Sequence, residues 1–242
     1  PETVNILHTL ARQHPQTLNS NTLVSITDDE FISAYKMTKE ATSSSPSGRH
    51  VGHYKAILDD TTLVSLHATM MSLPFQHGFA PDRWTKVTDI MLEKDPGNAR
   101  CHRLRIIALF ESDFNQAKRI LIGRKLMHHL EDKNLLSEMQ FGSRPGKQCQ
   151  SAVLNKVLSH DITRLTRRPA AYMENDAIGC YDRLVNNLIL LLLVKLGLPP
   201  SLAKCLGNLW DDTTHFIKTI YGTSDVTYGS SSSTPLFGPG QG

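Results

Sequence analysis

A fold that mixes helices with short strand hairpins is what this sequence predicts, and three stretches carry the prediction. Thr27-Asp28-Asp29-Glu30 is a capping box: the Thr27 side chain takes an orphan N–H while Glu30 reaches back, so a helix begins there. Residues 84–92 and 104–110 are β-rich runs on either side of a loop holding Pro96-Gly97, the arrangement of a hairpin. Residues 215–221 and 225–228, rich in β-branched and aromatic side chains, flank Gly222-Thr223-Ser224 and predict a second hairpin.

In chain order, residues 1–26 carry scattered apolar positions and little pattern. The first helix, from the capping box to about residue 41, presents Phe31, Ile32 and Tyr35 on one face. The polar run Thr42-Ser43-Ser44-Ser45-Pro46-Ser47-Gly48-Arg49-His50 then breaks all periodicity. A second helix over 60–73 sets Leu63, Leu66, Met70 and Leu73 at helical spacing, and Pro74 with Gly78 ends it. After the first hairpin come helices over 114–130, with Lys118, Arg119, Arg124 and Lys125, and over 147–165, with Leu154, Leu158, Ile162 and Leu165 as its apolar stripe. Arg164, Arg167 and Arg168 sit near the end of the latter, where cations suit the helix dipole. From Ala170 a strand runs into a turn carrying Asp176, Gly179, Tyr181 and Asp182. Helices over 185–196 and from Pro199-Pro200 to about 212 precede the second hairpin.

Composition narrows the function classes. With 242 residues, 40% of them hydrophobic, the chain is long enough for one large domain or two small ones. A net charge of +3 permits nucleic-acid binding without demanding it, because clustering of the basic groups decides. Cys101, Cys149, Cys180 and Cys205 lie far apart without a CxxC pair, which argues against a zinc site or a disulfide framework. The paired histidines His50 with His53 and His128 with His129 lack further ligands at zinc spacing. No Gly-x-Ser-x-Gly elbow supports a hydrolase, and Ser230 to Ser233 lack the Gly-Lys element of a phosphate loop. The opening residues do not form a signal peptide. The densest apolar run, residues 188–194, is far shorter than the roughly 20 residues that span a bilayer. An intracellular protein, nuclear or cytoplasmic and without a membrane partner, is expected.

A set of motifs follows in order. Ser45-Pro46-Ser47-Gly48 resembles the "SPGPDG" segment of non-LTR reverse transcriptases. Pro81-Asp82-Arg83-Trp84-Thr85-Lys86 and Leu92-Glu93-Lys94-Asp95-Pro96-Gly97 are similar to that family's "P..WK" and "PKPGK". Leu104-Arg105-Ile106-Ile107-Ala108-Leu109-Phe110-Glu111-Ser112-Asp113-Phe114 resembles "YRPISLLNTDYK", with Ile106 in place of Pro, and Ile120-Leu121-Ile122-Gly123-Arg124 resembles "ILANR". Gln140-Phe141-Gly142-Ser143-Arg144-Pro145-Gly146-Lys147 is close to "QFGFRPGRS" and is the most specific match. Asp176, followed five and six residues on by Tyr181 and Asp182, has the spacing of the first carboxylate motif. Thr234-Pro235-Leu236-Phe237-Gly238-Pro239-Gly240-Gln241-Gly242 resembles the start of "GVPQGS". The chain stops there, before the Tyr-x-Asp-Asp motif, and reads as a fragment of something longer.

The resemblance covers about residues 43–242 and implies an RNA-directed DNA polymerase fragment of a LINE-like retrotransposon. The implied fold is α+β: right-hand polymerase fingers and a partial palm, helix-rich, with an incomplete antiparallel palm sheet that includes the strand ending at Asp176. Its parts would be a helical extension over 1–42, fingers and fingers-palm helices over 43–169, and partial palm over 170–242. Asp176 would be the catalytic acid and the ligand of Mg²⁺, or Mn²⁺. Lys94, Arg105, Tyr181 and Gln241 would meet the deoxynucleoside triphosphate, the Tyr181 ring excluding a ribose 2′-OH, with Asp182 left to local hydrogen bonding. Arg49, Gly142, Arg144 and Lys147 would lie along nucleic acid. The implied partners are an RNA template, a DNA primer and the rest of the retroelement polyprotein. Asp176 and Tyr181 are expected to share one cleft, with Arg105 looking into it. Two other readings stand beside this one: a catalytically inactive nucleic-acid-binding fragment, such as a decayed copy would encode, and an unrelated helical interaction protein. An isolated chain with one metal-binding carboxylate is expected to show no primer extension.

Overall fold

The computed structural model describes residues 5, 23–41, 45–176 and 181–229, the side chain of Asp182 excepted. The chain divides into two compact units, one of residues 1–126 with 179–242 and one of 127–178. These boundaries fall elsewhere than the expected ones after residues 42 and 169.

The first unit starts from its capping box. Thr27 Oγ1 accepts from Glu30 N at 3.3 Å, and Glu30 Oε2 accepts from Thr27 N at 2.9 Å. Helix α1, Asp28–Met37, follows and buries Phe31, Ala34 and Tyr35. The Tyr35 ring stacks on Tyr54 of α2, Val51–Lys55, at 4.8 Å. Two imidazoles cap α2: His50 Nδ1 accepts from Gly52 N, and His53 Nδ1 accepts from His50 N. Helix α3, Thr61–His77, is started by Asp60, whose carboxylate accepts from the Thr62 and Leu63 amides.

Two expectations for α3 are corrected. Pro74 does not end it, because a proline in the last turn removes only its own N–H bond; the helix stops at Gly78, which adopts φ +71°. The buried face is Val64, Ala68, Met71 and Phe75, whereas Leu63, Leu66, Met70 and Leu73 are 37–52% exposed. The helix carries two apolar stripes of the same period, and packing buries one of them. Leu66→Gln should therefore change unfolding free energy by less than about 0.5 kcal/mol, while Met71→Ala should cost about 2–5 kcal/mol in urea titrations.

The sheet has strand order β2-β1-β3-β4, with β1 Lys86–Glu93, β2 Leu104–Leu109, β3 Thr214–Thr219 and β4 Gly222–Gly229. Both expected hairpins form as antiparallel pairs. The second turns at Ile220-Tyr221, and Gly222, expected in the loop, opens β4 at φ +135°. The expected antiparallel sheet is corrected to a mixed one, because β1 and β3 pair in parallel, Val87 against His215 and Asp89 against Ile217. The hairpins join edge to edge across a long sequence gap, which no local pattern specifies. The strand expected before Asp176 is not formed: residues 170–176 have no ladder partner.

Below the sheet's start, Phe75, Trp84, Phe114 and Phe110 form a chain of rings 5.3–5.5 Å apart. The helix expected over 114–130 is interrupted: α4, Ser112–Ile120, passes into a π-helical stretch, Leu121–Leu126, before α5, Met127–Asp132. Gly123 lies in that stretch and, having the weakest helix preference bar proline, lowers the cost of irregularity there. Helix α6, Cys149–Thr166, forms in the second unit, but its expected stripe of Leu154, Leu158, Ile162 and Leu165 is 48–77% exposed. Helices α7, Asn186–Lys195, and α8, Pro200–Asp212, match expectation, Pro200 taking the first helical position where its missing N–H is harmless. Cys205 of α8 is fully buried and its thiol is pushed up to about 12 by burial. Native labelling with a thiol reagent should modify the exposed Cys101 and Cys149 at once and Cys205 only on unfolding, a mass-spectrometric check of this packing. Among the described residues no helix is long and apolar enough to cross a membrane.

Candidate nucleic-acid interface

Three stretches that the sequence presents as separate motifs meet at one ion cluster in the first unit. Glu111, fully buried at the start of α4, accepts from Ser45 Oγ at 2.5 Å, Ser47 Oγ at 2.8 Å and Arg83 Nη1 at 2.9 Å. Asp113 accepts from both terminal nitrogens of Arg83, from Trp84 Nε1 at 3.1 Å and from the Phe114 amide at 2.9 Å. Every oxygen of both carboxylates has a donor within the fold, so the pair is tied up structurally. Sequence reasoning assigned no role to Arg83, Glu111 or Asp113. The available signal was charge set inside a run of large apolar residues, which only partners within the fold can neutralise.

The cluster anchors the segment before Arg49. Arg49 is exposed, its amide donates to Ser47 Oγ at 3.2 Å, and its guanidinium lies close enough to His67 to matter. Burial, then the charges of Arg49 and Arg83, hold the His67 imidazole below its usual range.

The β1–β2 hairpin and its loop carry a cluster of positive charge. Its loop is shaped by Glu93, whose carboxylate accepts from the Gly97 amide at 2.7 Å, and by Lys94 N donating to Arg103 O at 3.1 Å. Gly97 at φ +82° supplies the left-handed turn residue. Arg105 stands opposite Leu92. Lys94, Arg100, Arg103 and Arg105 are all exposed, and among the described residues none has a carboxylate within 4.0 Å. Arg100 and Arg103 were not anticipated as members of this group. By contrast, two of the basic helix positions are turned inward, whereas Arg119 is exposed: Lys118 lies over the Phe110 and Phe114 rings at 5.5 and 5.6 Å, and Lys125 pairs with Glu30 at 2.8 Å. Burial holds the Lys118 ammonium below its usual range.

In the sheet, His215 Nδ1 bonds Asp89 Oδ2 at 2.9 Å and the Tyr228 hydroxyl donates to the same oxygen. Burial, with Asp89 beside it, pushes the Tyr228 phenol well up. A raised phenol pKa stabilises the fold while the group is neutral, and that contribution is lost as pH climbs past the unfolded value near 10. Urea titrations of wild type and Tyr228→Phe should show a wild-type advantage of about 1.5–3 kcal/mol at pH 8 that declines above roughly pH 10.

In the second unit, the loop after α5 is held by Arg144. Its guanidinium grips Glu131 through Nε at 2.7 Å and Nη2 at 2.5 Å, and Nη1 donates to the Ser137 carbonyl at 2.5 Å. The Arg144 hydrogen bond holds the Glu131 carboxyl below its usual range. To meet a phosphate, Arg144 would first have to leave Glu131. Lys147 sits over the Phe141 ring at 5.7 Å, and Gly142 is exposed at the loop's outer turn. Residues 170–176, in place of a strand, lie along α6: Tyr172 stacks on His160 at 3.9 Å, its hydroxyl donates to Ser159 O at 3.2 Å, and Glu174 pairs with Lys156. These side chains find partners on the helix surface, whereas strand geometry needs a neighbouring backbone.

Asp176 ends this stretch, exposed, in the second unit; Tyr181 is 48% exposed in a short 3₁₀ turn of the first. Gln241 and the whole stretch 230–242 lie outside the described residues, as do residues 177–180 and the Asp182 side chain. Among the described residues no three metal-ligating side chains gather. Asp176 alone offers one carboxylate, which does not make a two-ion centre. Neither a family model nor a curated protein matches the chain.

Proposed function

We propose that the chain is the fingers and part of the palm of a retroelement reverse transcriptase, contributing to RNA-templated DNA synthesis when the protein is whole. The observation that carries the reading is the β1–β2 hairpin, where Lys94, Arg100, Arg103 and Arg105 stand exposed and, among the described residues, without carboxylate partners. Four cations kept unpaired on one short hairpin serve an anion, and a guanidinium fork suits a phosphate. The order of the motifs from Ser45 to Gln241 adds the polymerase class, with Asp176 as the acid that would bind a divalent ion and Tyr181 as the ring beneath the sugar.

One observation favours a second reading, a nucleic-acid-binding module without activity of its own: the described residues supply a single candidate metal-binding acid. The two separate in a primer-extension assay with labelled deoxynucleotides and Mg²⁺. No incorporation by the purified chain is the expected result. Incorporation that Asp176→Asn abolishes would show that the chain holds a complete catalytic set and would remove the second reading. An unrelated helical protein would neither extend a primer nor bind an RNA–DNA hybrid.

A further inference from the structure

The second hairpin, β3–β4, ends in two side chains left almost wholly in water: Ile220 is 92% exposed and Tyr221 is 93% exposed. Residues paired across neighbouring strands share a face of a sheet, so the register assigns what lies beside them. Lys218 pairs with Ile90, Phe216 with Thr88, Lys86 with Thr214, and Arg105 with Leu92. These positions alternate with the buried Val87, Asp89, Ala108 and His215 of the opposite face. Lys86, Arg105 and Lys218 therefore share the more open face with the half-buried Phe216. All three are exposed and, among the described residues, none has a carboxylate within 4.0 Å.

A row of unpaired cations beside a free aromatic ring matches one ligand chemistry, an anionic backbone carrying flat unpaired bases. A duplex would satisfy the cations but present no base face to the ring. An acidic peptide would leave the ring unused. We infer that the β3–β4 hairpin binds single-stranded nucleic acid, with Tyr221 stacking on an unpaired base, Lys218 meeting a phosphate beside it and Lys86, level with Thr214, meeting one farther along the strand. This rests on the nucleic-acid reading above and extends it to the β3–β4 hairpin, whose Lys218 and Tyr221 belong to none of its motifs. Stacking on an aromatic side chain tolerates any base, so the contact is indifferent to sequence.

The test is fluorescence anisotropy with a labelled 12-nucleotide uridine strand and with an RNA–DNA hybrid, each at 50 to 200 mM NaCl. Tyr221→Ala should weaken single-strand binding roughly 5- to 100-fold and leave the slope of log affinity against log salt unchanged, because stacking releases no counterions. Tyr221→Phe should restore the affinity. Lys218→Ala should lower the slope by about 0.7. Single-strand binding that Tyr221→Ala leaves at the wild-type level would overturn the inference while hybrid binding still upheld the parent reading. Binding of neither ligand would overturn both.

Discussion

Arg83→Ala should destabilise the first unit by about 3–5 kcal/mol, the largest effect expected of any single substitution in this chain. The guanidinium lies between Glu111, which is fully buried, and Asp113, which is nearly so. Removing it leaves two carboxylates out of water, close together, with only hydroxyl, indole and amide donors to hold them. A buried charge without its counter-ion is far costlier than the pair was ever favourable, which is why deletion of one partner reads so strongly. Glu111→Gln separates charge from shape. It keeps one acceptor oxygen for the Ser47 hydroxyl and Arg83 while its amide NH2 donates toward Ser45 Oγ, and it should cost less than Arg83→Ala, while Arg83→Ala combined with Glu111→Gln and Asp113→Asn should recover part of the loss. Urea unfolding followed by tryptophan emission reports directly, because Trp84 Nε1 donates into the cluster. A change below about 1 kcal/mol for Arg83→Ala would mean that the carboxylates are not buried as described.

Affinity for an RNA–DNA hybrid should fall by about two orders of magnitude between 50 and 200 mM salt if four cations meet phosphates, each contact contributing close to one unit of salt slope. Lys94, Arg100, Arg103 and Arg105 of the β1–β2 hairpin are the side chains expected to do so. The double variant Lys94→Ala with Arg105→Ala should lower that slope by nearly two and weaken binding without altering stability, since both side chains are exposed and have no ion-pair partner among the described residues. Arg144→Ala should behave differently: its guanidinium is engaged by Glu131 and by the Ser137 carbonyl, so loosening of the loop is the first consequence. Salt-independent binding, or a slope unmoved in the double variant, would count against the β1–β2 hairpin as the anion-binding surface.

Much of this structure was legible one segment at a time. The capping box at Thr27, the Pro96-Gly97 hairpin, Pro200 at a helix start and the β-branched run before Tyr221 each specify local geometry from adjacent residues, and each forms where expected. Backbone preference and short-range hydrogen bonding suffice for such features. The motif Leu104 to Phe114 named Arg105 on the first hairpin, though not Arg100 and Arg103 beside it.

What the sequence alone determined about this protein is therefore its local elements and the order of its motifs. Tertiary structure decided which stripe of α3 is buried, the parallel joining of β1 to β3, and the placing of residues 170–176 along a helix instead of in a sheet. It also decided that Ser45, Arg83 and Glu111 belong to one cluster although 66 residues separate its ends. The physical reason is common to all four. Periodicity and propensity describe a residue's own backbone, but burial, strand partnership and charge neutralisation depend on groups brought near by chain folding, and these are not encoded in any neighbouring residue.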